Sequence, residues 1–292
     1  MMKRFWASAL KVLEEVARLC ERRNIPWFVE FGTLLGAVRE KGFIAWDDDI
    51  DISMMRKDFE RFVYYAKTDL PEGWFCINER GDVQDALICR VVNSRGIRTD
   101  QAFLDEFYGC PYINGVDVFV YDEIPEEQGA FDQYVNLVHS AWALAQHISG
   151  NFEDVDEEVK ELIVQLEDLS GVKLDRSRGM KSQLLTLAEQ ISAMYMGEGG
   201  NRIAIASKLL EKKKYVFQKE WFAYRDTAVF EGLEVPVPRD YDKVLRVWYG
   251  DDYMTPVQGM AGHDYPGYAE QERILFETYE KRGMQLPESF RE

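Results

Sequence analysis

Long apolar runs, paired cysteines, histidines and positive charge are all scarce in this chain, and each scarcity closes off a class of function. No stretch reaches the ~18 consecutive apolar residues of a membrane-spanning helix. The opening residues, MMKRFWASALKVLEEV, meet Glu14 and Glu15 too soon for the apolar region of a signal peptide. No integral membrane segment is expected, and the expected location is cytoplasmic. Cys20, Cys76, Cys89 and Cys110 form no CxxC pair and no zinc spacing, so they read as reduced structural thiols. With only His139, His147 and His263 in 292 residues, histidine-rich metal chemistry is not expected. The deficit of positive charge runs deeper: 35 Lys and Arg stand against 52 Asp and Glu, a net charge of −17. A general binder of nucleic acid or of an anionic membrane needs a basic surface, so neither partner is expected. A polyanionic substrate would have to be met by locally clustered arginines and lysines.

What is present is the composition of an ordinary globular protein, 46% hydrophobic and 30% charged. A chain of 292 residues can bury one large core or two modest ones. Aromatic residues make up 13%. Most are core candidates, though some could cage a cationic head group, which an acidic protein suits.

The chain is organised around FVEFGTLLGAVREKGFIAWDDDIDISMM, Phe28 to Met55. Two apolar runs of strand character, 27–31 and 50–53, flank a glycine-bearing segment, Gly32-Thr33-Leu34-Leu35-Gly36, which reads as a turn. Such a turn lets backbone N–H groups approach a phosphate closely. The second run opens with Asp47, Asp48, Asp49 and Asp51. Alternate residues of an extended chain share a face, so Asp47, Asp49 and Asp51 project to one side while Ile50 and Ile52 point to the other. Three carboxylates on one face repel each other unless a cation sits among them. Hard divalent cations such as Mg²⁺ are held by one or two carboxylates plus substrate phosphates. The flanking Ile44, Trp46, Ile50 and Ile52 set these acids inside an apolar segment, which an ordinary solvated acidic loop would lack. An EF-hand is excluded, because its sixth position must be Gly and here is Ile52, and its twelfth is Asp58 in place of Glu. A phosphate turn beside a carboxylate ladder is the equipment of phosphoryl or nucleotidyl transfer.

At these residues the sequence resembles the LicD family, which moves phosphocholine from CDP-choline to glycans; the fukutin group, which transfers ribitol phosphate from CDP-ribitol, is a relative. The matching residues are Gly32 through Arg39, Lys41-Gly42-Phe43-Ile44, Trp46 through Ile52, Met55-Arg56 and Asp58-Phe59, with Ala45 where the family usually has Pro. A second block, Val235-Pro236-Val237-Pro238 followed by Tyr249-Gly250-Asp251-Asp252-Tyr253-Met254 and Pro256, also resembles LicD proteins. The resemblance implies an α+β, polymerase-β-like nucleotidyltransferase fold, with a small mixed sheet, flanking helices and a helical insertion. It further implies a Mg²⁺-dependent transferase, with Mn²⁺ as an alternative cation. The donor would be CDP-linked and the acceptor a glycan or glycolipid, such as lipopolysaccharide or teichoic acid.

Residues 4–22 follow an amphipathic helical period that ends before Pro26. Residues 56–67 read as a helix with Phe59, Phe62, Val63 and Ala66 on one stripe, and 74–77 and 87–93 read as strands. Arg90 lies in the second of these, and a buried arginine should face a carboxylate or a phosphate. Asp117 stands alone in the β-branched run Val116-Asp117-Val118-Phe119-Val120, and Asp122 and Glu123 after it read as solvated loop residues. From 126 to 214 the pattern is helical. One stripe carries Phe131, Val138, Trp142 and Ala145, a second carries Val159, Leu162 or Ile163, Leu166 and Leu169, and further helices are expected over 179–197 and 203–214. Three segments result: a catalytic core over 1–125, a helical subdomain over 126–214, and a segment over 215–292 that returns to the catalytic unit.

On the family's pattern Asp49 and Asp51 would hold the metal, and Asp117 would share it or take the acceptor's proton. Gly32, Thr33 and Arg39 would hold the donor phosphates, and Arg90 is a second phosphate candidate. Asp47 would orient the acceptor or a metal-bound water. Two other readings stay open at this point, an NTP-using nucleotidyltransferase and a non-catalytic binding protein on the same fold. His263, in Gly-His-Asp, reads as a satisfied loop histidine, with contact to a phosphate as the alternative.

Overall fold

The computed structural model describes residues 1–77, 87–148, 150, 152–257, 265–285, 287 and 290. The chain begins with α1 (Met2–Arg23), β1 (Phe28–Val29), α2 (Phe31–Arg39), β2 (Asp51–Met55) and α3 (Arg56–Asp69). Next come β3 (Phe75–Ile77), β4 (Cys89–Val92), α4 (Gln101–Glu106) and β5 (Gly115–Glu123). They are followed by α5 (Gln128–His147), α6 (Glu157–Ser170), α7 (Met180–Ser192), β6 (Arg202–Ile205), α8 (Ala206–Glu211) and β7 (Phe217–Gln218). The chain closes with β8 (Arg225–Phe230), β9 (Leu233–Pro238), α9 (Tyr241–Tyr249) and α10 (Ala269–Lys281). This is a mixed α+β protein.

Two compact units result. The first comprises Met1–Cys76, Arg90–Val118 and Arg225–Glu292; the second comprises Ile77–Cys89 and Phe119–Tyr224.

In the first unit the strands lie in the order β1-β2-β5-β4-β3. Strands β1 and β2 pair antiparallel, Phe28 opposite Ser53 and Val29 opposite Ile52. Helix α1 buries Phe5, Ala9, Val12, Leu13, Val16 and Leu19, the face its periodicity marks out. It stops at Asn24, which takes the left-handed conformation and returns its N–H to Cys20 O and Glu21 O. Helix α3 buries the expected Phe59, Phe62, Val63 and Ala66. The β8–β9 hairpin turns through Glu231 and Gly232, both at positive φ (48° and 82°), the geometry of a two-residue turn that matches strand twist.

In the second unit Tyr121, Asp122 and Glu123 of β5 pair antiparallel with Ile205, Ala204 and Ile203 of β6, and β6 pairs with β7. Its core lies among α5, α6 and α7, with Phe131, Val138, Ile163, Leu166, Leu184 and Leu187 buried. Two expectations are corrected here. The helix expected over 203–214 is strand β6 followed by the short α8, because Ile203, Ala204 and Ile205 find strand partners that outweigh their local pattern. On α6 the inward face is Ile163, Leu166 and Glu167, while Leu162 and Leu169 are exposed. A charged residue can take an apolar position there because Arg176 grips Glu167 through two hydrogen bonds, 2.7 and 2.9 Å. None of the four cysteines is in a disulfide. Among the described residues no helix is long and apolar enough to cross a membrane.

Candidate active site

The acidic run enters β2 as extended chain, and burial alternates along it. Asp48, Ile50 and Ile52 are buried, while Asp47 and Asp49 are half-buried. Asp51, the first residue of β2, lies deeper at 7% exposure. Backbone bonds fix its place. Its N–H donates to Thr33 Oγ1 at 2.9 Å, and its carbonyl accepts from the Glu30 N–H at 2.9 Å. The middle acid of the run has turned the other way and taken a structural part, with Asp48 Oδ2 accepting the Gly267 N–H at 2.6 Å. The run is further pinned where Trp6 Nε1 donates to Asp47 O at 3.2 Å and Tyr265 donates to Ala45 O at 3.3 Å.

The glycine-bearing segment is not a turn. Gly32 to Gly36 lie inside α2, and the strand expected over 27–31 is cut to Phe28–Val29. Leu34, Leu35 and Ala37 are good helix formers with a buried face to fill, and they carry the two glycines with them. Close approach explains both glycines. A Cβ at Gly36 would collide with the Gly42 carbonyl, and one at Gly32 with the Asp47 carboxylate. The opening of α2 is strained at Phe31, whose φ is 44°. That conformation costs a side-chain-bearing residue on the order of 1 kcal/mol, and its ring packs on Trp248 at 4.6 Å between centroids. Thr33 is buried and turned to the Asp51 backbone. Arg39, at the far end of α2, donates from Nε to Glu40 at 2.7 Å and from Nη1 to the Tyr253 carbonyl at 2.9 Å.

Asp117 reaches the acids from the neighbouring strand. Its N–H donates to Ile50 O at 2.9 Å, which sets it beside Asp51 in the sheet. Its carboxylate is gripped by Arg90: Nη2 donates to Oδ2 at 2.6 Å and Nε donates to Oδ1. The hydrogen bonds to Asp117 raise the arginine's pKa above its ordinary value against the opposing effect of burial, and the charges of Asp117, Asp49 and Asp51 add to the rise. One guanidinium therefore stands within the field of three of the acids singled out by sequence. Further along β5, Asp122 and Glu123 are not the solvated loop residues expected. Asp122 is buried, and Glu123 accepts the Gly197 N–H at 2.9 Å and pairs with Lys219. Strand pairing with β6 draws both into the sheet.

Two site residues were missed by sequence reasoning. Glu30 is buried at the N-terminus of α2, and its Oε1 accepts from Trp248 Nε1 at 2.8 Å. Tyr249 follows Trp248 at the end of α9. Burial first, and then the charges of Asp51, Asp47, Glu30 and Asp49, push its phenol well above its ordinary pKa. Yet the side chain is 45% exposed. The signal for Glu30 was a lone acid in an apolar run, the same signal that marked Asp117. His263 lies outside the described residues.

Residues 24–109 match the family described as LicD/FKTN/FKRP, nucleotidyltransferase domain. The match holds Glu30, Asp47, Asp49, Asp51 and Arg90, while Asp117 and Tyr249 lie beyond it. The chain is 26% identical over 260 residues to the lipopolysaccharide cholinephosphotransferase LicD of Haemophilus influenzae, which covers 85% of this chain and 89% of that one. An uncharacterised protein of Rickettsia prowazekii is 43% identical over 51 residues, 18% of this chain and 19% of its own. A second, from Rickettsia typhi, is 43% identical over 51 residues and 16% of its own length. Residues 24–109 thus carry a LicD-type domain, and the likeness to a LicD protein extends over most of the chain.

Proposed function

We propose that this protein transfers phosphocholine from a CDP-linked donor to a hydroxyl of a lipopolysaccharide-type glycan, with Mg²⁺ as the cation, on a nucleotidyltransferase-like fold. The observation that carries the reading is Asp117, gripped by Arg90 and set beside Asp51 in the sheet. The chain's likeness to a cholinephosphotransferase over most of both lengths supports the choice of group.

The donor chemistry fits a hard cation, since Asp49, Asp51 and Asp117 offer carboxylate oxygens. Among the described residues no three His, Cys, Asp or Glu side chains are already drawn together as a metal cage. That suits a cation held by two carboxylates whose remaining positions are filled by donor phosphates and water. Asp49 and Asp51 would hold it, and when bound it neutralises the diphosphate and supports the leaving CMP. Arg90, a planar fork suited to two phosphate oxygens, would exchange Asp117 for the donor's transferred phosphate. Asp117, released, would accept the proton of the acceptor hydroxyl as its oxygen bonds to phosphorus and the bond to CMP breaks. Thr33 would act through Asp51 by fixing its backbone, and Gly32 would keep the space Asp47 occupies beside the acceptor. Arg39, tied to Tyr253, would brace the donor side of α2.

The test is ³¹P NMR of the protein with Mg²⁺, a purified glycolipid acceptor and a panel of CDP-choline, CDP-ribitol, CDP-glycerol and the four NTPs. CMP and phosphocholine-bearing glycolipid are expected from CDP-choline alone. Pyrophosphate from an NTP would overturn the reading in favour of nucleotidyl transfer, and CMP from CDP-ribitol or CDP-glycerol would replace choline by a polyol.

A further inference from the structure

Asp51 is held at both its N–H and its carbonyl by one sharp corner of the chain. Its carbonyl accepts from the Glu30 N–H at 2.9 Å, and its N–H donates to Thr33 Oγ1 at 2.9 Å. Glu30 continues the β1–β2 ladder past Val29, and the next residue already begins α2. Phe31 makes that switch at a φ of 44°. A side-chain-bearing residue keeps so strained a backbone only while its surroundings over-determine it. Trp248 of α9 touches both residues of the corner. Its Nε1 donates to Glu30 Oε1 at 2.8 Å, and its ring packs on Phe31 at 4.6 Å between centroids. Both partners of the hydrogen bond are buried, Glu30 completely. A bond to a charged acceptor is strong, and away from water it is stronger still. The far end of α2 is tied to the same stretch of chain, because Arg39 Nη1 donates to the Tyr253 carbonyl at 2.9 Å.

We propose that Trp248 is a positioning residue, whose indole N–H and ring hold the Glu30–Phe31 corner and so keep the Asp51 carboxylate aimed for chemistry. The proposal rests on the reading of Asp51 as a catalytic acid and deepens it, assigning the support of that acid to a residue of α9. Trp248 acts through Glu30 and touches no reacting atom. Without its N–H, Phe31 is released to relax, and Glu30 and Thr33 draw away from the Asp51 backbone. The carboxylate then loses its aim, while the other groups that bind the donor stay in place.

The experiment measures kcat, donor KM and amide hydrogen exchange for the intact protein, Trp248→Phe, Glu30→Met and the double variant. Phenylalanine keeps a ring against Phe31 and removes the N–H; methionine keeps the bulk of Glu30 and removes the acceptor. Each single variant should lower kcat with CDP-choline about ten-fold, the scale of one buried hydrogen bond to a charged group. The KM should stay within about two-fold, as for a group that acts only on the chemical step. The double variant should fall no further than either single one, since both changes break the same bond. Exchange at the Glu30 and Asp51 amides should rise about ten-fold while the amides of α1 keep their rates, because the opening is local. An unchanged kcat, a rise in KM alone or additive losses in the double variant overturn the proposal. So does faster exchange spread equally over α1 and β2, which would make Trp248 a general prop of the fold. If the intact protein turns over no CDP donor, the substrate reading fails and exchange alone decides. A rise confined to the Glu30 and Asp51 amides then upholds the hold of Trp248 on Asp51, and an unchanged or uniform pattern sinks it.

Discussion

Arg90 and Asp117 meet fork to fork across adjacent strands, with Nη2 donating to Oδ2 at 2.6 Å and Nε donating to Oδ1. The arginine side chain is half exposed, so its charge is not locked in place by burial. Arg90→Ala should therefore leave the melting temperature within a few degrees of the original. It should lower kcat/KM by about 100-fold, the loss of one strong charge-assisted contact. The same change removes a cation that competes for the carboxylates, so Mg²⁺ should bind more tightly. Opposite movement of turnover and metal affinity is the expected result, read by steady-state kinetics and a Mg²⁺ titration of tryptophan fluorescence. Weaker Mg²⁺ binding would show that Arg90 supports the acids and does not compete for them.

The adjacent acids Asp48 and Asp49 should behave differently. Asp49→Ala should abolish turnover and leave the fold intact or slightly stabilised, because a like-charge repulsion is removed. Asp48→Ala should instead destabilise the protein by about 2 kcal/mol, since it strips a buried acceptor from the Gly267 N–H. Urea denaturation of the two variants, beside their activities, checks the contrast. Retained activity in Asp49→Ala would remove it from the metal site.

Thr33→Val keeps the shape of a buried side chain and removes the acceptor of the Asp51 N–H. A loss of about 1–2 kcal/mol of stability is expected, together with a fall in kcat and little change in KM for the donor. Thr33→Ser should restore most of both. A rise in KM alone would mean that the hydroxyl contacts the donor and not the strand.

Glu167 carries a pH prediction for the second unit. Burial pushes its carboxyl up, but the hydrogen bonds from Arg176 and the Leu174 N–H, with the charges of Arg176 and Lys173, outweigh burial and hold it below its ordinary value of 4.5. A carboxyl that titrates lower in the folded state contributes stability that is complete above its unfolded value and lost as pH falls through its folded one. The protein should thus lose stability below about pH 4.5, and Glu167→Gln should lose less over that interval while being less stable at pH 7. Denaturant melts at pH 7 and at low pH, for both proteins, measure the difference.

Much of this was legible in the residues. The alternation of Asp47, Asp48, Asp49, Ile50 and Asp51 was readable because an extended chain has a fixed period of two, whatever surrounds it. Asp117 and Arg90 were readable as charges in apolar strands, although not as partners, since pairing depends on the register between β4 and β5. The segment Gly32–Gly36 was misread because glycine signals turns locally, whereas here it admits the Gly42 carbonyl and the Asp47 carboxylate. Those neighbours are set by tertiary packing alone. Strand β6 was hidden for the same reason, its partners lying some eighty residues upstream in β5. Tyr249 sat in a recognised block but carried no local sign of its carboxylate surroundings.

The bond between Glu30 and Trp248 joins residues 218 positions apart. On a ribosome the acids of β2 emerge long before α9 exists, so a nascent chain carries its carboxylates with no tryptophan to hold Glu30 and no Tyr249 beside them. The Glu30–Trp248 contact is therefore a late event in synthesis. A chain cut short after residue 240 would keep all of residues 24–109, which match the family model, and lose Trp248, the partner of Glu30.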